Sequence, residues 1–273
     1  MNKNKKTTVK LARLTYKGKA LEIPALLVKG NKKIGSKVHH FSTVAGTEKY
    51  NLADLGLDPE TIELLTGSKE TKTCCGTCCC DCPGCYGKTG CYCFRSTKRR
   101  LVIRTLLAHD YDFFEKRMIE EIKAKKCRFV RIHATGDFFS RGYALAWLHI
   151  IQACPEVTFW TYTKTYGQGF DDILIAINTC FNCNIVSSLV DDCGLNYGHC
   201  GYILDTYYKL LSNGEKPHIC PCGMDDTKKC SDCTGCSSHK YVLFVEHSTD
   251  YKAADDPLLK EVAAIVARQE KQN

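Results

Sequence analysis

The sequence contains no run of eighteen or more apolar residues, so a membrane-spanning helix is not expected. Its opening, MNKNKKTTVK, lacks the apolar stretch of a secretory leader, and a cytoplasmic protein without membrane partners is the expectation. Hydrophobic residues at 44% and charged residues at 25% leave no case for wholesale disorder or a fibrous repeat. Acidic side chains are nearly missing from residues 1–40, where eleven Lys or Arg face Glu22 alone; that segment carries +10 of a total of +8, and the rest is about −2. Such a basic segment either tracks phosphates, which makes nucleic acid or a nucleotide the expected partner, or is a solvated terminus. A second basic group, Arg95, Lys98, Arg99, Arg100 and Arg104, either binds phosphate or coats a helix.

What is abundant is cysteine: 20 in 273 residues, about 7%, in a chain too long to need disulfides in place of a core. In a reducing compartment such thiols point to metal. Nine lie in 74–93, CCGTCCCDCPGCYGKTGCYC, and five in 220–236, CPCGMDDTKKCSDCTGC. Cys180, Cys183, Cys193 and Cys200, with His199, form a candidate third metal group. Cys127 and Cys154 stand apart and read as inert buried thiols.

Periodicity predicts an early strand over 20–28, a short helix over 59–65, a helix capped by Ser96 or Thr97 running to 108, and another over 110–125. Strand and helix then alternate: strands over 128–134, 157–163 and 184–190, with helices over 140–153 and 171–178. Further strands are expected near His218 and over 241–247, and a helix opened by Asp256-Pro257 runs to 269. The spacing implies parallel strands with crossover helices in one α/β domain spanning 1–273. There are too few units for a closed eight-fold barrel, so the expected fold is a partial (β/α) barrel with cysteine-rich cluster-binding loops.

Alternation puts Arg131, His133 and Thr135 on one strand face and Thr161 with Thr163 on another, with Lys164 opposite and Ser188 as the candidate from the third strand. Polar groups at the carboxyl ends of parallel strands are where sites form. Arg131, His133, Asp137, Thr161 and Lys164 are therefore candidate catalytic groups, and Gly136, Asp137, Thr163 and Ser188 candidate cofactor contacts. In the alternative, Arg131 and His133 only satisfy a core.

Cys78, Cys82 and Cys85 have C-x3-C-x2-C spacing. Three thiolates hold three irons of a [4Fe–4S] cluster and leave the fourth open to a ligand such as S-adenosylmethionine. Cys75, Cys91 and Cys93 compete for these roles. Cys230, Cys233 and Cys236, with Cys220 or Cys222 as fourth ligand, have the spacing of a filled cluster. Zinc, which prefers four thiolates, is the alternative at both blocks.

The runs GNKKIGSKVHHFST, CPGCYG, RIHATGDFFSRGYALAWLHIIQACPEVTFWTYTK and CPCGMDDTKKCSDCTGC before YVLFVEH resemble the phage "gene product eighty-eight" family. The chain is also similar to radical S-adenosylmethionine proteins, in which a cysteine triplet accompanies a partial (β/α) barrel. That likeness implies that Gly136 and Asp137 take the position that contacts the methionine amino group, although the loop here reads TGD. The reading is then a radical S-adenosylmethionine-like enzyme acting on a nucleotide, nucleic acid or peptide, supplied by an electron-donor protein. The alternative is a non-enzymatic zinc- or cluster-stapled phage protein that binds nucleic acid or a host protein.

Overall fold

A computed structural model of the chain describes residues 14–23, 25–30, 34–78, 85–187, 197–198, 200–225, 227–233, 235–245 and 256–271. The described residues open with a hairpin of β1 (Thr15–Tyr16) and β2 (Lys19–Ala20), followed by β3 (Val28–Lys29) and β4 (Val38–His40). A long excursion carries β5 (Lys49–Asn51), α1 (Pro59–Thr66) and β6 (Thr73–Cys75). Then come α2 (Arg95–Leu107), α3 (Tyr111–Ala124), β7 (Phe129–Arg131), α4 (Arg141–Ala153), β8 (Thr158–Thr163), α5 (Asp171–Thr179) and β9 (Cys183–Ser187). The last part holds β10 (Tyr197–Gly198), α6 (Cys200–Ser212), β11 (Pro217–Ile219), α7 (Gly235–Ser238), β12 (Tyr241–Val245) and α8 (Pro257–Glu270).

The main sheet has the order β3-β4-β7-β8-β9; β3 is antiparallel to β4 and the other neighbours are parallel. A second sheet, β10-β12-β11, is wholly parallel, and β12 also contacts β9. This is an α/β fold, and among the described residues its sheets do not close into a barrel.

The two faces of the main sheet differ. Val130, Ile132, Phe159 and Ile185 enter a core built with Leu101, Phe114, Met118, Trp147, Ile150 and Leu174 from α2 to α5. Val38, Trp160, Tyr162 and Val186 face the other way, into apolar clusters that include Cys220, Cys222, Cys230 and Cys236. A strand pair buried on both faces needs apolar residues at odd and even positions, which is why β8 reads TFWTYT.

Four helices start where expected, each with a side-chain cap: Asp58, Asp110, Ser140 and Asp256 accept from the amides of Thr61, Phe113, Tyr143 and Leu258. Helix α2 differs. It begins at Arg95 after Phe94, with no side-chain cap, so neither Ser96 nor Thr97 has the expected role. The strand expected over 20–28 is also split. The amides of Leu26 and Leu27 donate to the buried carboxylate of Glu121 at 2.9 and 3.0 Å, which takes them out of any strand ladder.

Candidate metal centre and strand-end site

On the face of the sheet away from α2–α5 lies a cavity of about 160 Å³. Phe129 and Trp160 form its floor, and five thiols line it: Cys220, Cys222, Cys230, Cys233 and Cys236. Three short segments deliver them. Cys220 and Cys222 flank Pro221 just after β11, Cys230 and Cys233 follow a turn, and Cys236 sits in α7.

Local contacts explain why this loop folds onto the sheet. Asn184 Nδ2 on β9 donates to the carbonyls of Cys236 and His239 at 2.8 and 2.9 Å. The amide of Gly235 donates to Cys233 Sγ at 3.4 Å, and His218 Nε2 lies 3.7 Å from the same sulfur. A side chain at position 235 would collide with the His218 ring, so glycine is required there. Burial holds His218 neutral, its pKa lowered to about 4.

The thiols interact with one another. Cys222 is hydrogen-bonded to Cys220 and Cys230, and the first of these bonds, followed by burial, pushes it up to about 12. Burial chiefly takes Cys236 to about 12, against the opposing influence of Tyr162 and Arg131. Thiols so raised keep their protons at neutral pH unless a cation replaces them. Among the described residues, no three His, Cys, Asp or Glu side chains are grouped so as to hold a metal ion. The cavity is also large for one zinc, whose thiolates approach to about 2.3 Å. Room for several atoms, walled by more thiols than one ion takes, suits a polynuclear cluster better.

A second site lies at the opposite, carboxyl ends of the strands. Gly136 has φ 82°, and a side chain there would collide with Thr43 Oγ1 and crowd Thr77 Oγ1, so only glycine fits. Thr43 and Thr77 are themselves bonded at 2.8 Å, Thr135 Oγ1 donates to the Thr43 carbonyl at 2.6 Å, and the Asp137 amide donates to Thr77 Oγ1 at 3.2 Å. The Asp137 carboxylate accepts from Thr163 Oγ1 at 2.6 Å and from the amides of Lys164 and Phe138, both at 2.8 Å. It is buried, and burial raises its pKa to about 6 against the opposing hydrogen bonds.

The first cysteine block reaches this end. It lies in the excursion between β4, the first parallel strand, and α2. Gly46 donates its amide to Cys78 Sγ at 3.2 Å and accepts from the Cys78 amide at 3.0 Å. Gly87 is wedged between Ala45, Thr135 and Cys85 Sγ. Cys78 and Cys85 thus both stand beside the turn at Ala45 and Gly46; Cys82 lies outside the described residues.

The sequence candidates separate into three places. Gly136, Asp137, Thr163 and Lys164 meet at the strand ends. Arg131 lies on the cavity face, its guanidinium 5.4 Å from the centre of the Tyr162 ring. His133 and Thr161 are on the helix face, where His133 Nδ1 contacts Thr161 Oγ1 at 3.2 Å and Nε2 contacts the Tyr143 hydroxyl at 2.9 Å. Arg131 and His133 therefore do not share a face, because β7 ends at Arg131 and the chain bends through residues 132–135. Burial lowers His133 to about 3, so it is a neutral core group. Ser188 lies outside the described residues.

The remaining cysteines and basic residues also find places. Cys127 and Cys154 are buried, and burial raises both thiols. Cys183 is buried in the helix-side core and Cys180 packs at its edge; Cys200 opens α6, and Cys193 and His199 lie outside the described residues. Of the second basic group, Arg104 is buried on the carbonyls of Leu26 and Ala25, Arg99 pairs with Glu22 at 2.7 Å, and Lys98 sits over the Tyr50 ring. These three are committed to the fold and do not form an open phosphate patch. Sequence reasoning missed Tyr162 and Asn184, whose proximity to the C-terminal cysteines arises only from the folding of 220–240 onto β8 and β9.

Fold and site define an α/β protein whose parallel sheet has helices on one face and a thiol-lined cavity on the other. The Gene product 88 family model matches residues 25–192, well over half of the chain, and the protein belongs to that family. The Gene 88 protein of Mycobacterium phage L5 is 25% identical over 154 residues, 48% of this chain and 63% of that protein. The Gene 88 protein of Mycobacterium phage D29 is 30% identical over 90 residues, 27% of this chain and 38% of that protein. The matched stretches thus span less than two thirds of either phage protein. No solved structure matches. The five thiols of the cavity, in 220–236, lie beyond the family match, whereas Phe129 and Trp160 lie within it. No helix among the described residues is long and apolar enough to cross a membrane.

Proposed function

We propose that this is an iron–sulfur protein. Cys220, Cys230, Cys233 and Cys236 hold a [4Fe–4S] cluster in the cavity, with Cys222 as the alternative fourth ligand. The observation that carries the proposal is the convergence of five thiols from three segments on one cavity. A metal would take the protons of these thiols, two of them buried, and its binding would add to the folding free energy.

The second part of the proposal concerns the strand ends, where Cys78, Cys82 and Cys85 hold a cluster with an open iron in a partial (β/α) barrel. S-adenosylmethionine bound at such an iron supplies radical chemistry. Three features support this reading: the block follows the first parallel strand, two of its thiols flank the Ala45–Gly46 turn, and the glycine at 136 lets the loop after β7 pack directly on Thr43 and Thr77 next to that block. Asp137 has a positioning role, since its carboxylate is used by Thr163, Lys164 and Phe138. In this reading a nucleotide, nucleic acid or peptide is the substrate, and Lys164, half-buried, follows β8 at the strand ends, where its amide donates to Asp137. An electron-donor protein is the partner this chemistry requires.

A specific observation favours a second reading, a cluster-stapled protein that binds nucleic acid or a host protein without catalysis. Asp137, His133 and Thr161 are buried and spent on internal hydrogen bonds. The test is iron and acid-labile sulfide analysis of anaerobically purified protein, followed by electron paramagnetic resonance with and without S-adenosylmethionine. Iron, sulfide and a signal altered by S-adenosylmethionine support the enzyme. Iron and sulfide with an indifferent signal support the second reading, and zinc without sulfide overturns the cluster proposal altogether.

A further inference from the structure

The Tyr162 hydroxyl is buried on the cavity face of the main sheet, packed with Cys236, and no nitrogen or oxygen acceptor meets it. It interacts electrostatically with the Cys236 sulfur beside it. Arg131 closes the arrangement from above: its guanidinium lies 5.4 Å from the Tyr162 ring centre, and its Nε is fixed by the His133 carbonyl at 3.0 Å. A buried hydroxyl without a partner is costly, and a neutral thiol is a poor acceptor. A cluster-ligating thiolate is a good one.

We propose that Tyr162 is a positioning residue of the cavity cluster: it donates a hydrogen bond to the Cys236 thiolate and, with Arg131 stacked on its ring, raises that cluster's reduction potential. This rests on the cluster reading above and goes beyond it, since it assigns what sets the behaviour of the centre. The physical basis is simple. Reduction adds negative charge to the cluster and its sulfurs, and a hydrogen-bond donor and a cation next to one sulfur stabilise the reduced form more than the oxidised one. Cys236 is the ligand best placed to receive both, because Asn184 holds its carbonyl at 2.8 Å and so fixes the sulfur against β8.

The arrangement also ties the two sites together. Tyr162 and Thr163 are neighbours on β8 whose side chains leave on opposite faces, one to Cys236 and the other to Asp137.

The experiment is redox titration of full-length Tyr162→Phe against wild type, with iron and sulfide measured in both. Phe keeps the ring and the apolar packing and removes only the hydroxyl. The expected result is full iron and sulfide content with a more negative midpoint potential for one cluster. Arg131→Gln should move the same cluster in the same direction, and resonance Raman should show the iron–thiolate stretch shifted in Tyr162→Phe. Equal iron content with unchanged potential and unchanged stretch overturns the role of Tyr162 while leaving the cluster reading intact. Absence of iron and sulfide from the wild type overturns the cluster reading and this inference with it.

Discussion

Thr163 Oγ1 donates a 2.6 Å hydrogen bond to Asp137 Oδ1, which fastens the end of β8 to the loop after β7. The same carboxylate takes the Lys164 amide on its other oxygen, so one acidic side chain spans two strand ends. A group placed this way has consequences for stability that can be measured without knowing any substrate.

Asp137 has a pKa of about 6 in the fold, above its ordinary value of 3.8, chiefly because it is buried. A raised carboxyl pKa means that the folded state takes the proton first. The stabilisation from this group is complete below about pH 4 and is lost as pH rises through 6, an effect on the order of 3 kcal/mol. His133, lowered to about 3, and His40, lowered to about 4, act in the opposite sense. Both are neutral in the fold, so their contribution is present above pH 6.5 and is lost on acidification. Urea midpoints of the wild type should therefore fall below pH 6.5, and those of Asp137→Asn should fall more steeply between pH 6 and 4. Parallel profiles for the two proteins would show that Asp137 does not titrate in this range.

Glu121 offers a larger effect. Its carboxylate is fully buried and accepts from the amides of Leu26 and Leu27, from Arg117 Nε at 2.9 Å and from Lys125 Nζ at 2.8 Å. Glu121→Gln replaces one acceptor oxygen by a donor facing other donors and leaves two cations short of a partner. The expected cost is about 3–5 kcal/mol, the range for breaking a buried ion pair. Chemical denaturation measures it directly, and a loss below 1 kcal/mol would mean that water replaces the carboxylate.

These two carboxylates also mark what the sequence could and could not convey. Asp58, Asp110, Ser140 and Asp256 announce their helices because a cap acts within three residues of itself. Glu121 gives no such signal, since its partners Leu26 and Leu27 are 95 and 94 residues away. Alternation failed at His133 for a related reason: it assumes a strand that continues, and β7 stops at Arg131. At the candidate sites, spacing alone drew attention to Cys230, Cys233 and Cys236. The meeting of these three with Cys220 and Cys222 on Phe129 and Trp160 depends on tertiary packing.

Cysteine replacements separate ligands from bystanders. In anaerobically purified protein, Cys233→Ala and Cys236→Ala should each reduce iron and sulfide to the content of a single cluster. Cys127→Ala and Cys154→Ala should leave both unchanged, because those thiols lie in the helix-side core, away from the cavity. Full metal content in Cys233→Ala and Cys236→Ala together would remove the cavity from consideration as a metal centre. Comparing Cys220→Ala with Cys222→Ala identifies the fourth ligand by which variant loses iron.

The basic N-terminal segment can be tested only with a cut that spares the core. Leu14 is fully buried and Tyr16 nearly so, with the Tyr16 hydroxyl donating to Asp110 Oδ2 at 2.8 Å. Lys19 is already paired with Glu60 at 3.0 Å. A deletion reaching residue 19 would therefore remove packing along with charge. Deleting residues 2–12 instead removes Lys3, Lys5, Lys6 and Lys10 and leaves Leu14 and Tyr16 in place. If these lysines contact phosphates, single-stranded DNA should bind less tightly. The slope of log affinity against log salt should flatten by about 0.7 per lost contact, while the melting temperature stays the same. An unaltered slope, or no binding by the full chain at low salt, would rule out a phosphate-binding role for this segment.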